Sequence, residues 1–363
     1  MRLTYYHSRG ESANRRDAGM MDKRKQIILL AVTRDYIATA EPVGSRSIVK
    51  HYKLGISPAT ARNEMADLEE SGYLTQPYTS AGRIPSDKGY RFYVDTLMQS
   101  YQLTKAELDL ITQRLHRKQR DVEDLLLDVA KLLADMCSNA AVVLGPVVQR
   151  SRYKHIGFVP MPRGKVMVIL VATPGIVDSQ IVDAKQDLGT EDLNVIANFL
   201  NEKLENRYLS DIDDRLISEL AREISRYTPL MNSTEEFLRA SLQVSDDSKV
   251  YLEGASQMLT QPEFHDVARV RTLFEFLERK DVIRSILRKA DSSGRITATI
   301  GSENEVEGLK ECSVVQAAYR FGGEVAGSLA VIGPTRMDYA RVMSIIKQVS
   351  WCLSNALERL HSG

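Results

Sequence analysis

The 363-residue sequence has three cysteines, Cys137, Cys312 and Cys352, and one tryptophan. Cysteines that are few, odd in number and far apart argue against a disulfide framework and fit a reducing compartment, so we expect a cytoplasmic protein. No cysteine or histidine pair has the spacing of metal ligands, and no metal site is predicted. No apolar run reaches the ~18 residues of a membrane-spanning helix, so no membrane partner is predicted either.

The sequence also lacks the motifs of common enzyme classes. The glycines of "FGGEVAGS" and "VIGPTRM" are not accompanied by the lysine and the serine or threonine of a phosphate-binding loop. There is no GxSxG, and the six histidines have no evident nucleophile beside them. We therefore predict a protein that is not an enzyme and that has no cofactor.

Charge is balanced over the whole chain, with 48 basic and 48 acidic residues, but it is not evenly distributed. Residues 1–100 hold 15 Lys and Arg against 11 Asp and Glu, a local excess of +4. This excess favours the N-terminal part as the site of an anionic partner. Residues 1–20 contain four arginines but no apolar core, which predicts a disordered tail rather than a secretory signal.

Residues 21–100 have the pattern of a winged helix-turn-helix domain. A helix over 22–39 is followed by a short helix that starts at Ser45. A third helix has Ser57 as its N-cap and Pro58 at its first position, where the missing N–H costs nothing. A polar hairpin, "YLTQPYTSAGRIP", follows Gly72. Three helices and a hairpin in this order predict a DNA-binding unit.

The third helix has a buried and an outward side in the predicted arrangement. Ala61, Met65 and Leu68 follow at i, i+4 and i+7 and form an inward stripe. Small and polar residues on the opposite side would fit a DNA major groove, where an arginine can bind guanine and an asparagine can bind adenine. An ordinary capped helix with a solvated face is the alternative. The predicted DNA-binding residues are Arg46, Lys50, Ser57, Ala59, Thr60, Arg62, Asn63, Thr79, Ser80, Gly82 and Arg83.

Residues 104–139 are predicted as one long helix with apolar residues at heptad spacing. Leu115, Val122, Val129 and Met136 recur every seven residues, whereas Lys118 interrupts the companion positions. Two interpretations stay open, a coiled-coil-like seam between subunits and a helix that lies along a sheet of the same subunit.

Strand-like segments lie both before and after a helical block in the rest of the chain. "KVMVILVAT" is typical of a buried strand, residues 191–290 are mainly helical, and strands resume at "RITATI". This order predicts an α+β fold in which residues 101–203 and 293–363 form one domain. Residues 204–292 would be a helical domain inserted into it. A final helix over 338–360 carries Trp351, which is expected on its inner face.

Several motifs resemble those of the HrcA family of bacterial heat-inducible transcription repressors. They are "PVGSRSIV", "SPATARNEMADLEESGYLTQPYTSAGRIPSDKGYRFYVD", "YLEGASQML", "QPEF" and "GSLAVIGPTRMDYARV". The resemblance extends from about Met21 over nearly the whole chain. The family usually has histidine at Tyr78, serine at Pro58 and isoleucine at Ala61, so these three positions depart from its pattern.

The resemblance implies a fold and a function. The fold would be a winged helix, a GAF-like domain and an inserted dimerisation domain. The function would be repression of the GroE and DnaK chaperone operons through the CIRCE inverted-repeat operator, which a homodimer binds. The GroE chaperonin would be a second partner, and unfolded protein that occupies GroE would relieve repression. A repressor that senses a small metabolite remains an alternative, because GAF-like domains often hold ligands.

Overall fold

The computed structural model describes most of the chain, and the tail predicted over residues 1–20 lies outside the described residues. The described residues are 21–79, 81–116, 121–146, 151–173, 175–184, 188–225, 234–242, 248–291 and 293–362. Within them the chain forms helices and three separate antiparallel sheets. The fold is therefore mixed helix and sheet.

Residues 21–98, which we call the N-terminal unit, contain three helices, a hairpin and a short helix in the predicted order. The elements are α1 (Lys23–Thr39), α2 (Ser45–Tyr52), α3 (Pro58–Glu70), β1 (Leu74–Thr75), β2 (Ile84–Pro85) and α4 (Asp87–Phe92), and Tyr93–Leu97 adds a π-helical turn. The predicted inward stripe of α3 is confirmed. Ala61, Met65 and Leu68 pack with Ile28 and Ile48 in one small hydrophobic core.

The remaining chain contains nine further helices of the α type and eight strands within the described residues. In chain order these are α5 (Lys105–Leu115), α6 (Val122–Cys137), β3 (Ala140–Leu144), β4 (Tyr153–Met161), β5 (Lys165–Ala172), β6 (Ile176–Asp183), α7 (Thr190–Leu204), α8 (Asp214–Ile224), α9 (Thr234–Leu242), β7 (Val250–Glu253), α10 (Ala255–Met258), α11 (Val267–Glu278), α12 (Lys280–Leu287), β8 (Thr297–Ile300), β9 (Cys312–Phe321), β10 (Glu324–Pro334) and α13 (Tyr339–Ser362).

A five-stranded antiparallel sheet, ordered β7-β3-β10-β9-β8, lies at the centre of what we call the core unit. One of its faces packs against α5, α6 and α13, which supply apolar residues such as Leu125 and Ile346. The opposite face packs against α10, α11 and α12 through residues such as Phe276 and Leu287. Because both faces are covered, its central strands are buried along most of their length.

A second sheet, ordered β4-β5-β6, forms the insert unit together with α7, α8 and α9. The helices cover one face, where Ile156, Val168 and Leu200 are buried. The other face carries exposed apolar side chains, including Val159, Val177 and Ile181. The insert unit therefore has a hydrophobic core of its own and one uncovered sheet face.

Strand pairing divides the chain differently from the predicted boundaries. The strands β4–β6 fall within the predicted range 101–203, yet they share a core with α7, α8 and α9 rather than with β8–β10. The helices α11 and α12 fall within the predicted insert 204–292, yet they cover the five-stranded sheet. Local periodicity identifies strands but does not report their partners. The hydrophobic cores indicate an insert that spans about residues 151–242.

The region predicted as one helix over 104–139 contains two helices. Thr104 caps α5 with a reciprocal capping box, and the Asp121 side chain caps α6 by accepting from the Asp124 N–H at 2.8 Å. Lys118, which interrupts the heptad pattern, lies outside the described residues. The heptad residues Leu115 and Val129 are buried in the core unit of the same chain. This packing favours the helix that lies along a sheet.

A further expectation about a helix face was wrong. Trp351 is 62% exposed, because the buried positions of α13, among them Val349 and Leu353, lie on the opposite side of the helix. Val267, an apolar residue, is 82% exposed at the first turn of α11. Cys137, Cys312 and Cys352 are all buried. Burial raises the pKa of Cys137 and of Cys312 to about 12, so both thiols stay protonated near neutral pH.

Candidate nucleic-acid interface

The first turn of α3 is built as the sequence predicts. The Ser57 Oγ accepts the Thr60 N–H at 3.0 Å, which satisfies one of the free donors at the helix start, and Pro58 occupies the first helical position. The Thr60 hydroxyl lies 2.9 Å from Ser57 Oγ. The two hydroxyls lie within hydrogen-bond distance of each other, and the Thr60 methyl group remains able to contact a base.

Away from its buried stripe, α3 has an open outward face. Ala59, Arg62 and Asn63 are exposed, whereas Thr60 is half-buried. No carboxylate of the described residues forms an ion pair with Arg62. The guanidinium and the Asn63 amide are therefore available to an external partner, and the small side chain of Ala59 allows that partner to approach the helix closely.

Two carboxylates of α3 are paired with cations of α1 within the N-terminal unit. Glu64 pairs with Arg24 at 3.6 Å, and Asp67 pairs with Lys25 at 2.8 Å. The hydrogen bond to Asp67 raises the pKa of Lys25 above its usual value. These pairs tie α3 to α1.

The helix α2 contributes further exposed cations. Arg46 and Lys50 are both exposed, while Ile48 between them is buried in the small core. The end of α2 is fixed to α1, because the Tyr52 hydroxyl donates to Asp35 Oδ1 at 2.9 Å. Burial, together with this hydrogen bond, raises the pKa of Tyr52 to about 12. The orientation of α2 therefore places two predicted phosphate contacts in solvent.

The turn of the β1–β2 hairpin is held by one side chain. Gln76 Nε2 donates to the carbonyl oxygens of Thr79 at 3.0 Å and Ala81 at 2.9 Å. Thr79 is exposed and Tyr78 is 62% exposed, so both are open to a partner. Ser80, a predicted DNA contact, lies outside the described residues. Sequence reasoning did not identify Gln76, whose role depends on the folded turn.

Gly82 is explained by a close approach of two backbone segments. A Cβ at this position would lie 2.4 Å from the Val43 carbonyl oxygen and 2.7 Å from the Val43 nitrogen. Any larger side chain would separate the hairpin from the segment before α2. The predicted contact between the Gly82 backbone and DNA stays a prediction, and the structure gives the glycine a packing role.

Arg83 is engaged inside the N-terminal unit. Its Nε lies 2.7 Å from Glu69 Oε2 at the end of α3, and its side chain is 19% exposed. Among the described residues the Arg83 Nε has no hydrogen-bond partner, so its contact with Glu69 is an ion pair only. Two backbone hydrogen bonds of 2.9 Å also join Arg83 to Val43. A phosphate contact by Arg83 would require Glu69 to release it, so Arg83 and Glu69 are well placed to orient the hairpin against α3.

A small cavity of about 120 Å³ lies between the insert and core units. Arg152 and Tyr208 are among its lining residues, and the guanidinium lies 4.0 Å from the tyrosine ring. The Tyr208 hydroxyl accepts from Arg152 at 2.7 Å and donates to Glu324 at 2.6 Å. Pockets for small ligands usually enclose about 300–1,000 Å³. This cavity is smaller than such a pocket, and its polar groups are paired with one another.

Comparison with known proteins places the chain in a family. The family model described as HrcA protein C terminal domain matches residues 123–343. A heat-inducible transcription repressor HrcA of Pelotomaculum thermopropionicum is 44% identical over 94% of this chain and 99% of its own length. One from Moorella thermoacetica is 41% identical over 94% of this chain and 99% of its own length. The chain belongs to the HrcA family.

Membership of the HrcA family makes this chain a heat-inducible transcription repressor by relationship, and thus a regulator rather than an enzyme. A crystal structure of a hypothetical protein has a TM-score of 0.59 and 21% identity, and the match covers 94% of this chain and 99% of that one. This likeness extends the shared fold over almost the whole HrcA chain. Among the described residues no helix has the length and hydropathy of a membrane span.

Proposed function

We propose that this chain represses the GroE and DnaK chaperone operons by binding the CIRCE inverted-repeat operator as a homodimer. The observation that carries the proposal is the outward face at the start of α3. There Ala59, Arg62 and Asn63 are exposed beside a helix N-terminus, and the carboxylates on the neighbouring side are paired. In a winged helix-turn-helix, α3 would enter the major groove and the β1–β2 hairpin would lie along the flanking backbone.

The residues divide into two roles under this proposal. Arg62 and Asn63 read base edges, and Ala59 with the Thr60 methyl meets thymine methyl groups. Arg46, Lys50, Thr79, Ser80 and the Ser57 cap contact phosphates, which fix the protein on the duplex without reading its sequence. Arg83 was predicted as a DNA contact, and its ion pair with Glu69 also suits it to hold the hairpin in place.

A two-fold operator requires a two-fold protein, so the proposal includes a dimer. The uncovered face of the β4–β6 sheet supports the placement of that dimer in the insert unit. Val159, Val177 and Ile181 are 47%, 56% and 55% exposed on this face. Val159 and Ile181 are paired with the same residue of β5, Met167, so the exposed side chains form one patch. A second copy of the chain would bury this patch.

Heat would relieve repression through the chaperonin. We propose that the core unit is a GAF-like domain. Both faces of its sheet pack against side chains of the same chain. The active state of this domain would depend on GroE rather than on a metabolite. Unfolded proteins that occupy GroE would then lower the supply of operator-competent repressor.

The experiment is a titration of labelled CIRCE duplex with the purified chain, with and without GroE, at stated salt concentrations. Preference over a scrambled duplex by a factor of about 10³ or more is expected of a specific repressor. The variant Arg62→Ala should lose about 1–3 kcal/mol of operator binding and relax base preference at one position.

The matched control is Lys50→Ala, on the neighbouring helix. It should weaken binding to all sequences alike and reduce the salt dependence, as loss of a phosphate contact does. Undiminished operator affinity in Arg62→Ala would contradict the proposed placement of α3 in the major groove. Equal binding of the wild type to both duplexes would contradict the proposed operator.

A further inference from the structure

The N-terminal unit is fixed to the core unit by charged contacts at two separate places. Neither place involves the outward face of α3, and both lie between segments that are distant in the sequence. The orientation of the proposed DNA-binding surface relative to the rest of the molecule depends on these contacts. The proposal developed from them rests on the operator binding proposed above.

The first place joins α4 to the segment after β8. Arg91 donates through Nε to Glu303 Oε1 at 2.7 Å and through one Nη to the Ala298 carbonyl at 2.6 Å. The same Nη also binds the other oxygen of Glu303, which makes the ion pair bidentate. The Arg91 side chain is 15% exposed and Glu303 is 33% exposed. A bidentate pair in a partly buried position fixes direction as well as distance.

A second bond set reinforces this place. Asp87, the first residue of α4, accepts the backbone N–H of Ser302 at 2.8 Å and its hydroxyl at 2.7 Å. Gly301 has φ +52°, and a Cβ there would lie 2.3 Å from the Asp87 carboxylate oxygens. The core unit therefore has a backbone shape that accepts the Asp87 carboxylate at close range.

The other place joins the segment between β10 and α13 to the end of α1. Arg336 is held within the core unit, at 2.5 Å from Glu263 and 2.7 Å from Gln261. From this position it donates to the carbonyl oxygen of Ile37 at 3.2 Å, in the last turn of α1. Carbonyls in the last turn of a helix lack partners within the helix and attract cations. Arg336 thus caps a helix that belongs to a different unit.

Apolar and aromatic contacts fill the space between the two places. Tyr90, Tyr93 and Val94 of the N-terminal unit are buried in the main core of the core unit. The Tyr90 ring lies 6.0 Å from the Tyr339 ring at the start of α13. With polar contacts on both sides of a packed centre, the N-terminal unit has one defined orientation.

We propose that Arg91 and Arg336 are positioning residues that set the angle of the N-terminal unit on the core unit. In a dimer that angle determines the distance between the two α3 helices. It therefore determines which spacing between operator half-sites the repressor accepts. Loss of either contact would leave the outward face of each α3 intact. The position of each α3 relative to that of the partner copy would no longer be fixed.

The test uses the full-length dimer and inverted repeats whose spacer is lengthened one base pair at a time over one helical turn, about 10 base pairs. The variant Glu303→Gln removes the charge that holds Arg91. The matched control is Glu305→Gln, two residues away, whose partner Lys289 lies 2.6 Å off within the core unit. Affinity is measured for each spacer and for a single half-site.

The wild type should bind one spacing best. Glu303→Gln should reduce the ratio between best and worst spacing about tenfold, the range expected for a hydrogen bond to a charged group. Its affinity for the single half-site should equal that of the wild type, and Glu305→Gln should keep the wild-type profile. Arg336→Lys, which keeps the charge but loses the fork that reaches Ile37, should flatten the profile in the same way.

An unchanged spacing profile in both Glu303→Gln and Arg336→Lys would overturn the proposal. So would a loss of half-site affinity that equals the loss on the full operator, because the contacts would then support the reading surface itself. Absence of half-site binding in the wild type is a different result. It would contradict the proposed operator function before spacing is compared.

Discussion

The two larger sheets of this protein are made of similar residues but have different surroundings. In the five-stranded sheet, β9 begins with eight buried residues in succession, because helices cover both faces. In the three-stranded sheet, β6 alternates between partly buried and exposed positions, because helices cover one face. Yet the exposed positions still include valine and isoleucine. A sheet whose outward positions remain apolar is suited to contact with another molecule. The residues of a sheet that is buried on both faces contribute to the stability of the fold instead.

The largest effect is expected from the centre of the five-stranded sheet. Leu329 is fully buried between β3 and β9, and Leu329→Ala should lower the free energy of unfolding by about 2–5 kcal/mol through lost burial and the cavity it leaves. Differential scanning calorimetry measures the shift. The equivalent truncation of exposed Ile181, Ile181→Ala, should leave monomer stability within about 0.5 kcal/mol. Equal losses at both positions would erase the distinction between the sheets.

The next effect concerns association rather than stability. Ile181→Asp places a charge in the middle of the uncovered apolar patch and should weaken dimer formation about tenfold or more, since an unpaired charge would be buried at the interface. Analytical ultracentrifugation over a concentration series measures the dissociation constant. Val267→Asp, at the 82% exposed position on α11, is the control for the same change in charge and polarity. A dimer that tolerates Ile181→Asp but not Val267→Asp would move the interface away from the sheet.

The smallest effect compares one hydroxyl in each sheet. Tyr319 donates to the Leu144 carbonyl at 2.9 Å in the core unit, and Tyr153 donates to Asn201 Oδ1 at 2.7 Å in the insert unit. Tyr319→Phe should cost about 1–2 kcal/mol. Tyr153→Phe should cost less, because Asn201 Oδ1 still accepts the Ile156 N–H at 2.8 Å.

Hydrogen exchange of amides in β10 and β5 reports on the two units separately, which matters because a chain of several units need not unfold in two states. A larger loss of protection for Tyr153→Phe would show that the insert unit depends more on its polar contacts than the core unit does.

Local features of the N-terminal unit were predictable from the sequence. The Ser57 cap, Pro58 and the stripe of Ala61, Met65 and Leu68 all act within one helix, so spacing alone reveals them. The ion pair of Arg83 was not predictable, because its partner Glu69 comes close to it only after the hairpin folds back on α3. That the N-terminal unit is a winged helix and reads an operator stays a prediction.

Pairing between distant strands was the part that local patterns did not contain. β3 and β7 are short segments, and neither was predicted as a strand. They lie side by side in the sheet although about a hundred residues separate them. The predicted insert boundaries depended on which strands share a sheet, and periodicity reports the exposure of a strand rather than the identity of its neighbours. The same limit applies to Arg91 and Glu303, whose contact spans two units.

The position of β3 between β7 and β10 has a consequence for the order in which the molecule is made. β3 pairs with Ser328–Ile332 of β10, so its neighbour on that side is synthesised almost two hundred residues later. The N-terminal and insert units can complete their own cores while the chain is still growing, whereas the core unit waits for β9, β10 and α13. Arg336 and Glu303 also emerge late. A nascent chain therefore has α3, the proposed reading helix, well before it has the core unit that we propose orients it.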